Sequence, residues 1–203
     1  RRQDLRLKWV SALLATGNLE AAEKGLVEEQ VPDEPEWKLR QAMLDLALGQ
    51  RASAVGRLQE LKEAGLPLGD RCWLLYVRGV LDWDAGDQEA GLALMERAVG
   101  LAQFPVQRAQ MELAVYQRRV FAGPISPDFL EDLRKKTEAF KGQRAGFQFA
   151  REHALALQNL GQRDAALEVL EKYLALLAGS EGRERSQFLF LIGLLSVKES
   201  GRG

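Results

Sequence analysis

The stretch DRCWLLYVRGVLDWDAGDQEAGLALMERAVGLA, residues 70–102, predicts two helices joined by a tight turn at Gly86-Asp87. Apolar residues recur on either side of this turn at the spacing of an amphipathic helix. Glycine adopts the left-handed backbone conformation without a steric penalty, so it is the residue expected where one helix ends and the chain reverses. The stretch is therefore a helical hairpin, with Gly86 as its turn.

The eight-residue frame that ends at Gly86 recurs four times. The other frames end at Gly17, Gly49, Gly123 and Gly161, so that successive glycines are 32, 37, 37 and 38 residues apart. In every copy but the weaker one at Gly123, a small residue follows five positions after the glycine and a large apolar residue nine positions after it. These residues are Ala22 and Leu26, Ala54 and Leu58, Gly91 and Met95, and Ala166 and Leu170. Such recurrence is typical of stacked helical hairpins, because a single hairpin cannot bury both of its apolar faces.

Several frame residues also match a known family. Gly79, Gly86-Asp87, Gly91 and Ala98 fall where the tetratricopeptide repeat family places its small residues and its turn. Gly17-Asn18-Leu19 with Ala22, and Gly161 with Ala166, fit in the same way. On these residues nearly the whole chain resembles a tetratricopeptide (TPR) or TPR-like helical repeat, whose usual period is 34 residues.

The resemblance, together with the frames, predicts an all-α fold, a right-handed superhelix of about five antiparallel hairpins with a helix at its C-terminus. The repeat array is expected over residues 1–182, with hairpins at about 4–29, 36–64, 70–102, 104–141 and 143–178. A capping helix and tail are expected at 183–203. Ser126 is predicted to cap the helix that starts at Pro127. The apolar run 188–192 is expected to pack on the fifth hairpin, with a further repeat or another chain as alternatives.

Composition limits the possible partners. The 203 residues are 46% hydrophobic and 28% charged, and the net charge is -1, so no overall field attracts nucleic acid or a membrane surface. No apolar run is long enough to span a bilayer, so we expect a soluble protein without membrane insertion. Because the chain begins at Arg1, we interpret it as a piece of a longer protein that lacks its targeting segment. Whether it works in the cytoplasm or the periplasm is open.

Few residues suggest chemistry. Cys72 and His153 are the only cysteine and histidine, so we predict no disulfide, no metal site and no cofactor. His153 is interpreted as a histidine of the core or its rim. Asp45 and Asp82 both lie four residues before a turn glycine and are expected to face water or a neighbouring hairpin's Arg or Lys. No glycine-rich phosphate loop is present, and we predict that the chain is not an enzyme.

Charge is clustered along the chain. The first hairpin and its connector are acidic through Glu20, Glu23, Glu28, Glu29, Asp33, Glu34 and Glu36. The fourth hairpin and the start of the fifth are basic through Arg118, Arg119, Arg134, Lys135, Lys136, Lys141, Arg144 and Arg151. These runs are either solvated faces or patches that bind an acidic peptide or the acidic end of a second copy.

In the family that the chain resembles, ligands lie in a concave groove lined by the first helix of each hairpin. Carried over by frame position, the partner-binding groove would contain Trp73, Tyr76, Trp83, Gln117, Arg151 and Gln158. Aromatic and amide side chains suit a protein or peptide partner, either an extended segment or a helix. The predicted function is thus a non-catalytic interaction scaffold. The alternatives are plain packing by Trp73 and Tyr76, self-assembly into a homo-oligomer, or the interaction part of a larger enzyme or regulator.

Overall fold

The computed structural model describes residues 2–27, 33–177 and 182–197. In these residues the chain forms eleven α-helices and one short 3-10 turn at Glu63–Gly65, without a β-strand. The prediction of an all-α fold is confirmed, whereas the superhelical arrangement of the hairpins stays a prediction. Glu28 and Glu29 of the acidic run lie outside the described residues.

The eleven described helices are connected by short segments. They are α1 (Arg2–Thr16), α2 (Leu19–Val27), α3 (Pro35–Ala47), α4 (Arg51–Gln59), α5 (Leu68–Asp84), α6 (Gln88–Leu101), α7 (Pro105–Ala122), α8 (Pro127–Ala139), α9 (Arg144–Asn159), α10 (Arg163–Leu174) and α11 (Gly182–Ser196). The predicted cap of α8 is confirmed, because the Ser126 hydroxyl accepts a hydrogen bond from the backbone N–H of Phe129 at 3.2 Å.

All five frame glycines have positive φ. The value is 102° at Gly86 and 73° at Gly161, which confirms the prediction for these two turns. After four of the glycines, the next residue donates its backbone N–H to a carbonyl five residues earlier, as Asp87 does to Asp82 at 3.0 Å. This bond closes the helix end in the Schellman manner. Gly123 is followed by Pro124, which has no N–H to donate, and this explains why the fourth turn differs.

The chain divides into two compact units, Arg1–Met111 and Glu112–Gly203, and the division falls inside α7. In the first unit, α1 packs with α2, α3 with α4 and α5 with α6. The helices of each pair are antiparallel, because a turn of at most three residues joins them. In the second unit α8 packs on α9, α9 on α10, and α10 on α11.

The α5–α6 pair is packed backbone against backbone. A Cβ built on Gly91 would lie 2.6 Å from the carbonyl oxygen of Gly79 and 2.6 Å from the backbone nitrogen of Trp83. A Cβ built on Gly79 would in turn lie 2.6 Å from the carbonyl oxygen of Gly91. Only glycine at both positions allows the two helices to come this close.

The fourth hairpin departs from this pattern because of one residue. Seven positions before the turn glycine, the other hairpins have Val10, Ala42, Gly79 or Ala154, but this one has Tyr116. The Tyr116 ring stacks on Phe129 of α8, with ring centroids 5.2 Å apart, and its hydroxyl donates a hydrogen bond to Asp132. Burial, followed by this contact with Asp132, raises the pKa of Tyr116. The ring therefore takes the place of direct contact between the two helices.

Buried charged side chains link helices of the first unit, both between hairpins and within one hairpin. The Arg40 guanidinium on α3 donates to the Asp70 carboxylate on α5 at 2.7 Å and to the Ser11 hydroxyl on α1 at 3.0 Å. Asp45 accepts hydrogen bonds from Arg57 and Ser53 at 2.7 and 2.6 Å. Its partners come from α4 of its own hairpin, and not from a neighbouring hairpin as expected, since the short turn brings α4 back along α3.

Candidate functional site

The predicted groove residues of the first unit lie on one face of α5. Trp73, Tyr76 and Trp83 follow one another at intervals of three and seven residues, and all three are half-buried. The rings of Trp73 and Tyr76 meet edge to face, with centroids 5.7 Å apart. Both rings pack against the buried core, where the half-buried Met43 and Leu46 of α3 join them. The face thus serves inter-hairpin packing and also exposes aromatic surface.

The predicted residues of the second unit are polar and partly tied together. Gln117 of α7 donates to the Glu152 carboxylate at 3.4 Å, and Arg151 of α9 donates to the same oxygen at 2.9 Å. Arg151 also donates to the side chain of Gln187 on α11 at 3.1 Å. Gln158, further along α9, is exposed. The guanidinium of Arg151 is therefore held in a network and is only partly available to a partner.

Glu152 is a residue that sequence reasoning missed. It is 4% exposed and lies nine residues before Gly161, the same distance at which the buried Arg40 precedes Gly49. The available signal was a charged residue at a position where the hairpins that turn at Gly86 and Gly123 have the apolar Val77 and Ala114. Its burial explains why it needs the cation of Arg151 beside it.

The basic run is mostly neutralised within the second unit. Arg134 binds Glu131 at 2.7 Å, Lys136 binds Glu112 at 2.7 Å, and Arg144 binds Glu184 at 3.2 Å. Exposed ion pairs of this kind contribute little to stability. They do reduce the positive field that the run would otherwise present to an acidic partner, which favours the interpretation as a solvated face.

The second unit contains a cavity of about 470 Å³ between α8, α9 and α10, which we name the α8–α10 cavity. Its apolar lining comes from Leu130, Leu157, Ala165, Val169 and the ring of Tyr173. This volume is in the range of cavities that hold small organic ligands or a few side chains of a partner. None of the six predicted groove residues lines it.

His153 forms part of the inner wall of this cavity. The residue is 7% exposed, and within the part of the chain that the structure describes neither ring nitrogen has a hydrogen-bond partner. Burial lowers the pKa of His153, and the guanidinium of Arg134 lowers it further, against the opposing effect of Glu131 and Glu138. The ring is therefore neutral near pH 7, with one nitrogen that donates and one that accepts. The sequence interpretation as a core or rim residue describes its burial but misses the cavity.

Charged groups surround the cavity. Arg134 forms two hydrogen bonds with the Glu131 carboxylate, at 2.7 and 2.8 Å, and Lys172 binds Glu138 at 2.7 Å. Burial, helped by Glu138, raises the pKa of the nearby Tyr173 to about 12, so its hydroxyl stays protonated and donates to the Thr137 carbonyl at 2.9 Å.

A corresponding cavity of about 190 Å³ in the first unit lies between α4 and α5. Each of the two cavities is lined by the residues eight and four positions before a turn glycine: Arg78 and Asp82 here, His153 and Leu157 in the second unit. Arg78 extends across to α4 and donates to the carbonyls of Leu58 and Leu61 at 2.9 and 2.7 Å. The long side chain fills space that the shorter His153 leaves open.

The other residue considered for chemistry is inert. The Cys72 thiol is buried, donates to the Gly69 carbonyl and accepts a hydrogen bond from Gln107, both at 2.9 Å. Burial raises the pKa of Cys72 to about 11, so the nucleophilic thiolate is scarce at neutral pH. Among the described residues, no group of three His, Cys, Asp or Glu side chains is placed to hold a metal ion. No described helix has both the length and the apolar composition needed to cross a bilayer.

Comparison with protein-family models, with curated proteins and with solved structures found no match to the chain.

Proposed function

We propose that the chain is a TPR-like helical-repeat module that binds a protein or peptide partner through the first helices of its hairpins. The observation that carries the proposal is the row of half-buried aromatic side chains on α5, Trp73, Tyr76 and Trp83. Large rigid rings at a half-exposed position bury much area on binding at small entropic cost, and Trp and Tyr are enriched among residues that dominate interface energies.

The proposal also includes the polar residues Gln117, Arg151 and Gln158 of the second unit, taken by themselves. Arg151 already shares its guanidinium with Glu152 and Gln187, so a partner carboxylate would compete with bonds that exist in the free protein. We therefore assign Arg151 to the orientation and rate of association, and the aromatic row of α5 to most of the affinity.

The test selects binding peptides from a random library displayed on phage, with the full 203-residue chain as the target. Affinities of the selected peptides are then measured for wild type, Tyr76→Ala and Trp83→Ala. We expect each substitution to weaken binding by about 10-fold or more. Trp9→Ala is the matched control, because it removes a 49% exposed indole that lies against Gly25 of α2 and is not one of the six surface residues. Binding that survives both α5 substitutions, or that falls as much in the Trp9 variant, would contradict the proposal.

A second candidate function, self-assembly, rests on α11. Phe188 and Leu195 of this helix are buried against α9 and α10, as expected for the apolar run. Its outer face is also apolar, with Phe190 69%, Leu194 61% and Val197 72% exposed. Apolar patches of this kind mark interaction surfaces. If they join two copies, light scattering will show a concentration-dependent dimer that Leu194→Glu dissociates, and a monomer at all concentrations would exclude this function.

A further inference from the structure

We infer that the α8–α10 cavity is a binding site for a ligand with an apolar body and one cationic group. This inference is independent of the proposed function, because none of the proposed surface residues lines the cavity. It rests on three features of the described residues, namely the buried histidine, the apolar walls and the charge balance around the opening.

The buried histidine indicates a ligand because it has unused hydrogen-bonding capacity. The His153 ring nitrogens are not among the fully buried unpaired polar atoms of the described residues, so they are accessible from the cavity. A polar group of this kind in a mostly apolar pocket fixes the orientation of a ligand. His153 is 7% exposed, lines the cavity and has no hydrogen-bond partner among the described residues. A ligand that enters the cavity restores this bond at the inner wall, whether it offers a donor or an acceptor.

The apolar walls set the body of the ligand. Leu130 of α8, Leu157 of α9 and Val169 of α10 line the cavity from three sides. Its volume of about 470 Å³ accommodates an indole ring or a leucine side chain with several neighbouring atoms. Burial of apolar ligand surface between these residues supplies the main driving force for binding.

The charged residues around the cavity determine the sign of the charge that a ligand should carry. Two of the three lining carboxylates are already paired, Glu131 with Arg134 and Glu138 with Lys172. The third, Glu168 of α10, has no ion-pair or hydrogen-bond partner in the described ranges. Among the lining residues, Glu168 is the carboxylate without an ion pair, whereas Lys135 and Lys141, outside the lining, act on the already paired Glu131 and Glu138. An ammonium or guanidinium group is therefore favoured beside Glu168, and a carboxylate is disfavoured there.

The first unit contains a narrower version of the site. Eight positions before its turn glycine, Arg78 binds the carbonyls of Leu58 and Leu61, and the cavity that remains is about 190 Å³. His153→Arg in the second unit should narrow the α8–α10 cavity in the same way. A second variant tests the charge: Glu168→Gln removes the unpaired carboxylate but keeps a side chain of nearly the same shape. Glu171→Gln is its matched control, because Glu171 is exposed on the same helix and does not line the cavity.

The experiment titrates the full chain, labelled with nitrogen-15, with three indoles of nearly equal size: tryptamine, the uncharged tryptophol and the anionic indole-3-acetate. We expect saturable shifts at the amides of His153, Leu157 and Val169, with tryptamine binding about 3-fold more tightly than tryptophol and indole-3-acetate binding most weakly. Glu168→Gln should abolish the preference for tryptamine, Glu171→Gln should retain it, and His153→Arg should abolish binding of all three indoles.

The cationic ligand has two sources, a free amine or a basic segment of a peptide, and two further probes separate them. N-acetyl-leucyl-lysine amide is compared with N-acetyl-leucyl-glutamine amide under the same conditions. Tighter binding of the lysine dipeptide than of tryptamine identifies a peptide segment, and binding of tryptamine alone identifies a free amine. The inference is overturned if no probe gives saturable shifts around the cavity, if indole-3-acetate binds as well as tryptamine, or if the folded Glu168→Gln protein keeps the preference for the cation.

Discussion

The region α4–α6 of the first unit and the region α8–α10 of the second unit are two versions of one arrangement. In both, the residue eight positions before the turn glycine lies against the preceding second helix. In the first version it is Arg78, which binds two carbonyls near the end of α4, and in the second it is His153, which binds nothing among the described residues. The longer side chain at this position goes with the smaller cavity, about 190 Å³ against about 470 Å³.

The two hairpins also differ at their points of closest contact. Gly79 and Gly91 bring α5 and α6 together, whereas the equivalent residues of α9 and α10 are Ala154 and Ala166, both almost fully buried. The α5–α6 pair is thus closed by backbone contact and by Arg78, and the α9–α10 pair is separated by methyl groups beside an open cavity. The first region is built for packing, and the second leaves room for a ligand.

The largest effect on stability is expected from Gly91→Ala, which gives the first region the alanine that the second region has at Ala166. In Gly91→Ala the new methyl group would lie 2.6 Å from backbone atoms of α5, so the helices must move apart. We expect a loss of about 1–3 kcal/mol in the free energy of unfolding, measured with urea. Gly100→Ala on the same helix is the control, because its Cβ meets nothing within 4 Å. Alanine should stabilise that position by up to about 1 kcal/mol. Equal stability of the two variants would contradict the close packing.

The next effect tests the role of Arg78. Arg78→His transfers the residue of the second region to the first, and the carbonyls of Leu58 and Leu61 lose a charged donor. A cost of about 1–2 kcal/mol in the free energy of unfolding is expected. Arg97→His serves as the control, since the Arg97 side chain is 59% exposed and lies 3.4 Å from Glu63. Its effect should stay within about 0.5 kcal/mol. If both variants cost the same, the two hydrogen bonds do not explain the narrower cavity.

The smallest effect concerns how the free energy of unfolding depends on pH through His153 in the second region. Burial and Arg134 lower the pKa of His153 in the folded protein below its unfolded value, near 6.5. Below pH 6.5 the unfolded chain binds a proton that the folded chain excludes, so the free energy of unfolding decreases as the pH falls towards the folded pKa. In wild type, we expect the urea midpoint to decrease as the pH is lowered from 7.5 to about 5.5. His153→Gln should flatten this slope, and an unchanged slope would show that His153 is not shielded as described.

Much of the local structure could be predicted because it depends on near neighbours in the chain. The positive φ of Gly86 and Gly161 and the cap at Ser126 follow from turn and cap chemistry that a few residues determine. The weaker fourth frame was also visible in the sequence, but its cause, the ring of Tyr116 between α7 and α8, appears only when Phe129 is placed beside it.

The partners of charged residues could not be predicted from frame positions. Asp45 binds Arg57 of its own hairpin, and Arg151 binds Glu152, the residue next to it on α9. Long side chains can reach several acceptors, and the distance between helices decides which of them they bind. The six predicted groove residues lie where the frames place them on α5, α7 and α9, and their binding of a partner stays a prediction.

By itself, the sequence determined an all-helical chain in which hairpins turn at regularly spaced glycines, because helical periodicity and left-handed glycine are properties of short segments. Only the tertiary structure decided how much space stays open between the helices, about 190 Å³ in the first unit and about 470 Å³ in the second. The length of the side chain eight residues before the turn has meaning only against the helix opposite. Arg78 reaches the carbonyls of α4, while His153 is too short to fill the space beside α8 and leaves the α8–α10 cavity.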